Sequence, residues 1–191
     1  MPLFVDMIQV GEIETTGDWE KDIEVGRRFL EKNGYKGTTV IEAMFRQAFS
    51  FALIAGHIYE EYLQKLSANA VFGAAPFVVN STFCIEIYLK TLHRLQGNSV
   101  KGHSLAELYD SLSDEHKNMI SGAANRYSSQ FSLSMPVQFI DFITDLNNCF
   151  VDWRYIYEKN RTKEVRIEPT LFMIKVFHEV CHHALKLQQF I

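Results

Sequence analysis

At 191 residues and 47% hydrophobic, the chain can bury one substantial core, and no Pro-, Gly- or Ser-rich break divides it. Its 19 Lys+Arg against 23 Asp+Glu leave a net charge of −4, which excludes a global positive field that recruits nucleic acid and makes any such contact local. Three cysteines, Cys84, Cys149 and Cys181, are too widely spaced for a metal clip and lie among apolar neighbours, so reduced, buried thiols in a cytoplasmic protein are expected.

Residues 1–17, with Gly11 and Gly17 flanking Glu12–Thr16, read as an irregular tail or short edge segment. The first residues carry neither a basic n-region nor a long apolar run, so no signal peptide is expected. Asp18 predicts a helix cap, with a helix to about Asn33 and Gly34 as its stop. Thr39-Val40-Ile41-Glu42 has capping-box spacing and opens a helix to about Ser67, with Ile41, Phe45, Ala48, Phe49, Ala52, Ala55 and Tyr59 as its buried stripe.

Asn69, Gly73, Pro76 and Asn80 interrupt the longest uncharged stretch, Ser67 to Ile85, and no membrane span is expected there. Ala74-Ala75-Pro76 starts the next helix, because a first turn tolerates proline, and Gly97 ends it. Ser104-Leu105-Ala106-Glu107 is a second capping box, opening a short helix to Leu112, and Ser113 caps another to about Ser129. Ser134 and Pro136 begin a helix running towards Tyr157, with Val137, Ile140, Ile143, Leu146 and Phe150 on one face. Lys159–Glu168 reads as a solvated loop, and Pro169 opens a last helix to about Gln189. With no strand pattern and no repeat, the fold class is all-α: a single bundle of about six or seven helices over 39–191, preceded by a 1–38 extension with a short helix.

Several residues carry candidate chemistry. Glu86 and Lys90, like Arg154 and Glu158, are four apart and can pair on a helix. Glu86 shares a polar stripe with Thr82, Lys90 and His93, which favours a solvated face or cleft wall; a sharper version has Glu86 bracing Arg154 across two helices. Trp153, Tyr155 and Tyr157 surround Arg154, whose fork matches phosphate oxygens while the rings stack bases; the plainer reading makes them core anchors. His103, between Gly102 and the Ser104 cap, is expected to bond a loop carbonyl, or else to supply a proton-transfer group.

His178-Glu179-Val180-Cys181-His182 matches the helical spacing by which two imidazoles grip zinc while a glutamate polarises water. A third ligand would come from Gln188, Gln189, the terminus or an upstream carboxylate; otherwise the histidines pack beside Cys181. Asp141, Asp145, Asn148 and Asp152 form an acidic stripe at helical spacing, expected to be a solvated face, with a divalent cation site as the sharper alternative. No P-loop, dinucleotide-binding glycine fingerprint or nucleophile elbow is present.

In order and spacing, Asn80–Lys90, Lys101-Gly102-His103-Ser104-Leu105 with Leu108, and Trp153–Glu158 resemble the HEPN superfamily of small helical bundles, over about Thr39 to Gln189. That resemblance implies a cytoplasmic domain without cofactor that often forms a homodimer. RNA or a nucleotide is its usual ligand, in toxin–antitoxin, defence or stress settings, and many members cleave RNA without metal. Cleaving members carry an Arg followed after four to six residues by His; here Arg154 is followed at those spacings by Lys159, Asn160 and Arg161. The expectation is therefore an RNA- or nucleotide-binding domain without ribonuclease activity. Alternatives are a zinc-dependent hydrolase using His178, Glu179 and His182, and a helical protein-interaction module with no small ligand.

Overall fold

Three helix starts marked in the sequence by a polar cap recur in the computed structural model, which describes residues 1–5, 8–64, 70–131, 139–147, 149–155 and 164–188. Asp18 accepts from the backbone N–H groups of Glu20 and Lys21, Ser104 from Glu107 and Ser113 from His116, each relieving a donor that the first helical turn leaves unpaired. They open α1 (Trp19–Lys32), α4 (Leu105–Asp110) and α5 (Asp114–Tyr127). The other helices are α2 (Val40–Ile58), α3 (Ala70–Leu95), α6 (Phe139–Leu146), α7 (Cys149–Arg154) and α8 (Ile167–Gln188).

The chain divides into two units, 1–39 and 40–191. In the first, β1 (Pro2–Val5) and β2 (Ile8–Glu12) pair antiparallel, from Pro2 opposite Glu12 to Val5 opposite Ile8, with a bulge between Leu3 and Phe4. This corrects the expectation of an irregular, strand-free start. Gly11 and Glu12 cut the apolar alternation short after Ile8-Gln9-Val10, and an isolated hairpin is marginal; α1 supplies the missing cover. A Cβ on Gly11 would lie 2.5 Å from Phe29, and one on Gly26 3.0 Å from Leu3, so both glycines admit close packing of helix and hairpin. Asp22, buried in α1, accepts from the Thr15 hydroxyl at 2.5 Å and the Thr16 N–H at 2.6 Å. Those bonds hold its carboxyl below the ordinary range.

The second unit is an all-α bundle around α3. Both flanks of α3 from Phe77 to His93 are buried, because α2, α4, α7 and α8 all pack against it. A helix apolar on every side belongs in an interior. By length and composition alone α3 is also apolar enough to cross a membrane, and 50% of that apolar window is buried in this fold. Pro76 lies inside α3, as its seventh residue, rather than in the first turn as the sequence suggests. Cys84, Cys149 and Cys181 are free and buried, and burial pushes the Cys84 and Cys181 thiols up.

The single helix expected towards Tyr157 is instead broken between α6 and α7. Asn147 turns there, and its side-chain oxygen accepts from the Ser104 hydroxyl at 3.2 Å and the Ala106 N–H at 3.4 Å, tying the break to the start of α4. The expected Ser134–Pro136 start lies outside the described residues.

After α2 the backbone widens into one π-helical turn, Tyr59–Leu63, where Gln64 N–H bonds Tyr59 O at 2.8 Å. Gly73 of α3 packs against that turn, and a Cβ at Gly73 would fall 2.6 Å from the Tyr62 Cβ. Since that neighbour is fixed to its own backbone, Gly73→Ala is expected to destabilise the bundle by about 1–3 kcal/mol, read as a lowered urea midpoint at constant slope.

Candidate functional site

Asn80, Phe83, Glu86 and Lys90 succeed one another along one side of α3 at helical spacing. Glu86 is 3% exposed, which corrects the solvated-face expectation, and Thr82 and His93 of the same stripe are buried as well. The stripe is polar yet internal because its members find hydrogen-bond partners inside the bundle, although His93 Nδ1 is buried without one. Thr82 donates to Val78 O at 2.8 Å and His93 Nε2 to Leu108 O at 2.8 Å. Glu86 Oε1 receives both Lys90 Nζ at 2.7 Å and His103 Nδ1 at 2.9 Å.

His103 therefore bonds a buried carboxylate, where a loop carbonyl was the expected partner. Its side chain is 69% exposed. Gly102 upstream adopts φ 101°, a left-handed conformation that glycine reaches without strain, and Ser104 downstream is pinned by Asn147. A carboxylate only accepts, so His103 Nδ1 carries the proton of this bond.

Arg154 is exposed, and its guanidinium carbon lies 5.7 Å from the Phe150 ring centre and 5.3 Å from that of Tyr155. Phe150 in turn stacks on Phe83 at 5.4 Å. Helices α3 and α7 do come side by side, yet Arg154 meets α3 through the Phe150 ring on Phe83 rather than by bracing Glu86, whose partners are Lys90 and His103. Trp153 is half-buried against the core, but its indole Nε1 is buried without a hydrogen-bond partner, where the anchor reading has the polar end satisfied at the surface; Tyr155 is half-buried beside Arg154. Tyr157 and Glu158, and with them the Arg154–Glu158 pair, lie outside the described residues.

The zinc-like motif on α8 is pulled in different directions. His178 Nδ1 shares a 2.8 Å hydrogen bond with the Tyr88 hydroxyl and packs against Phe49 and Phe45 at 4.8 and 5.3 Å. Glu179 is bound by Arg126 and Tyr127 of α5. Burial works against its charge, and those two hydrogen bonds outweigh it, leaving the carboxyl below the ordinary range. His182 is exposed and stacks on Phe45 at 5.9 Å. Among the described residues no group of three or more His, Cys, Asp or Glu stands where it could hold a metal ion. The motif instead borders an open groove of about 670 Å³ between α5 and α8, with Met119, Arg126, His183 and Lys186 among its lining.

The acidic stripe is divided by the break at Asn147. Asp145 pairs with Arg166, itself over the Phe142 ring, while Asp141 is exposed and Asn148 lies outside the described residues. Phe83 and Asn147 are the site residues that sequence reasoning did not single out. Phe83 had a signal in its position three before Glu86, whereas nothing local marks Asn147 as a cap for a helix some forty residues away.

Compared with family models, curated proteins and solved structures, the chain gives no match in any of the three.

Two outcomes follow from this geometry. Glu86→Gln leaves Lys90, only 22% exposed, without its counter-charge, and is expected to cost about 3 kcal/mol in denaturant unfolding. Replacing both, Glu86→Gln with Lys90→Met, is expected to recover part of that loss. Burial, then His182 and Lys175, lowers the pKa of His178, so below about pH 6.5 the unfolded chain binds a proton that the folded one refuses. Stability is thus expected to fall as the pH drops from 7.5 to 5.5, and less steeply in His178→Phe, as chemical denaturation at both values measures.

Proposed function

We propose that residues 40–191 form an HEPN-like domain that binds single-stranded RNA or a nucleotide on the face built by α3, α7 and the loop before α4, in a defence, stress or toxin–antitoxin setting. The observation that carries this reading is the exposed Arg154 guanidinium, supported by the Phe150 and Tyr155 rings. A guanidinium plane stacks on a base or grips phosphate oxygens in a fork, and the ring beneath holds it ready at little entropic cost. His103, farther along the same side of α3, adds a polar contact oriented by Glu86. Binding without scission is the outcome favoured here, because the position-specific histidine after Arg154 is missing from the pattern.

One observation favours a second reading. An exposed imidazole whose Nδ1 is fixed by a buried carboxylate has the orientation that general acid–base catalysis uses, so His103 is the residue to follow if any strand scission occurs.

The test is a titration of labelled single-stranded RNA against the wild-type protein and Arg154→Ala. Removing one phosphate contact is expected to weaken binding about tenfold at low salt and to reduce the slope of log affinity against log salt by roughly 0.7. No binding by the wild type at low salt sinks the proposal, and product analysis with His103→Ala separates binding from cleavage.

A further inference from the structure

Helix α4 and the loop before it border a cavity of about 260 Å³ that nothing described above uses. Val100 and the buried Leu108 give it apolar walls, and Lys101, Ser104, Glu107 and Ser111 give it polar groups. Gly102 lines it too, so the residues on either side of His103 both face this space. A cavity of about 150 Å³ takes up a benzene ring, and the larger volume here has room for the two fused rings of a purine.

Two of the four polar groups are already engaged. Ser104 Oγ donates to the Asn147 side chain at 3.2 Å and accepts from the Glu107 N–H at 3.3 Å, while Ser111 Oγ donates to the Glu107 carbonyl at 2.6 Å. The other two are uncommitted: among the described residues, neither the Glu107 carboxylate nor the Lys101 ammonium has a hydrogen-bond or ion-pair partner. They line one cavity as opposite charges and do not pair with each other.

That arrangement states what fits between them. A carboxylate offers two oxygens that only accept, and an ammonium only donates. The occupant must therefore present two adjacent donors on one edge and an acceptor on another, in a body flat and apolar enough for Val100 and Leu108. Among the four RNA bases guanine alone has this pattern, with N1–H and the N2 amino group side by side and O6 and N7 as acceptors. Adenine and cytosine set a ring-nitrogen lone pair beside their amino group, and uracil flanks its one N–H with carbonyls, so each turns an acceptor towards the carboxylate.

We infer that this cavity is a guanine pocket, in which Glu107 accepts from N1–H and N2–H and Lys101 donates to O6 or N7. The inference rests on the RNA reading above and gives it a base preference, set next to His103 by Gly102 and Ser104.

The test is a titration at low salt of short labelled uridine oligonucleotides carrying one central guanine, inosine, adenine or cytosine, or none. The Glu107 and Lys101 side chains bond to nothing in the described chain, so Glu107→Gln and Lys101→Met are expected to keep wild-type circular dichroism. The wild type is expected to bind the guanine oligonucleotide about tenfold more tightly than the adenine, cytosine or all-uridine ones. Inosine, which lacks the N2 amino group, is expected to fall between. Glu107→Gln is expected to bring guanine to the level of adenine, Lys101→Met to weaken guanine binding, and Arg154→Ala to weaken all five alike with the preference intact. Equal binding of the five by the wild type, or a guanine preference that survives Glu107→Gln, overturns this inference alone and leaves the RNA reading in place. A wild type that binds none of them overturns both.

Discussion

A carboxylate buried in the middle of the longest helix is the constraint around which the second unit is arranged. An unpaired charge at that depth costs several kcal/mol, more than the roughly 1.5–3 kcal/mol that burying any one of its apolar neighbours Ile85, Ile87 or Leu89 contributes. Helix α3 can occupy the centre of the bundle only if Glu86 is met, and it is met twice, by Lys90 one turn on and by His103 from the loop before α4. Satisfying Glu86 thereby ties α4 to α3. The Asn147 bond to the start of α4 then ties the α6–α7 break to the same place, so one buried charge couples three parts of the chain that are far apart in sequence.

The surface chemistry inherits this order. His103 owes its orientation to the buried Glu86, and Arg154 owes its support to Phe150, which rests on Phe83 of the same central helix. Both exposed side chains are held from below by α3, one through a charge and one through stacked rings. On the other side of the bundle, α8 distributes its His-Glu-x-x-His run among three neighbours: Tyr88 takes His178, Arg126 and Tyr127 take Glu179, and Phe45 takes His182. Spacing on one helix places side chains on a common face, but the atoms they meet belong to other helices.

Much of the fold was legible because it rests on local chemistry. Asp18, Ser104 and Ser113 cap helices through hydrogen bonds spanning two or three residues, and Gly34 and Gly97 carry the positive φ expected of a helix stop; the stripe on α2 holds at Ala48 and Ala55, whereas Phe49, expected to be buried in it, is exposed. The hairpin at Pro2–Glu12 was not legible, because its strands are short and interrupted, and what stabilises them is the packing of α1 through Gly11 and Gly26. Pro76 misled in the other direction: a proline is compatible with a helix interior where the surrounding bundle makes good one lost hydrogen bond.

By itself, then, the sequence determined the all-helical class of the second unit, the caps at Ser104 and Ser113, the burial of the three cysteines and the identity of the polar residues worth watching. Only the tertiary structure decided which of those residues meet. Glu86 joins His103 and not Arg154, Glu179 joins α5 rather than two histidines, and the helix after residue 139 stops at Asn147. Each of these outcomes turns on a hydrogen bond between segments separated by 17, 53 or 43 residues, and such bonds depend on how helices pack rather than on any period within one of them.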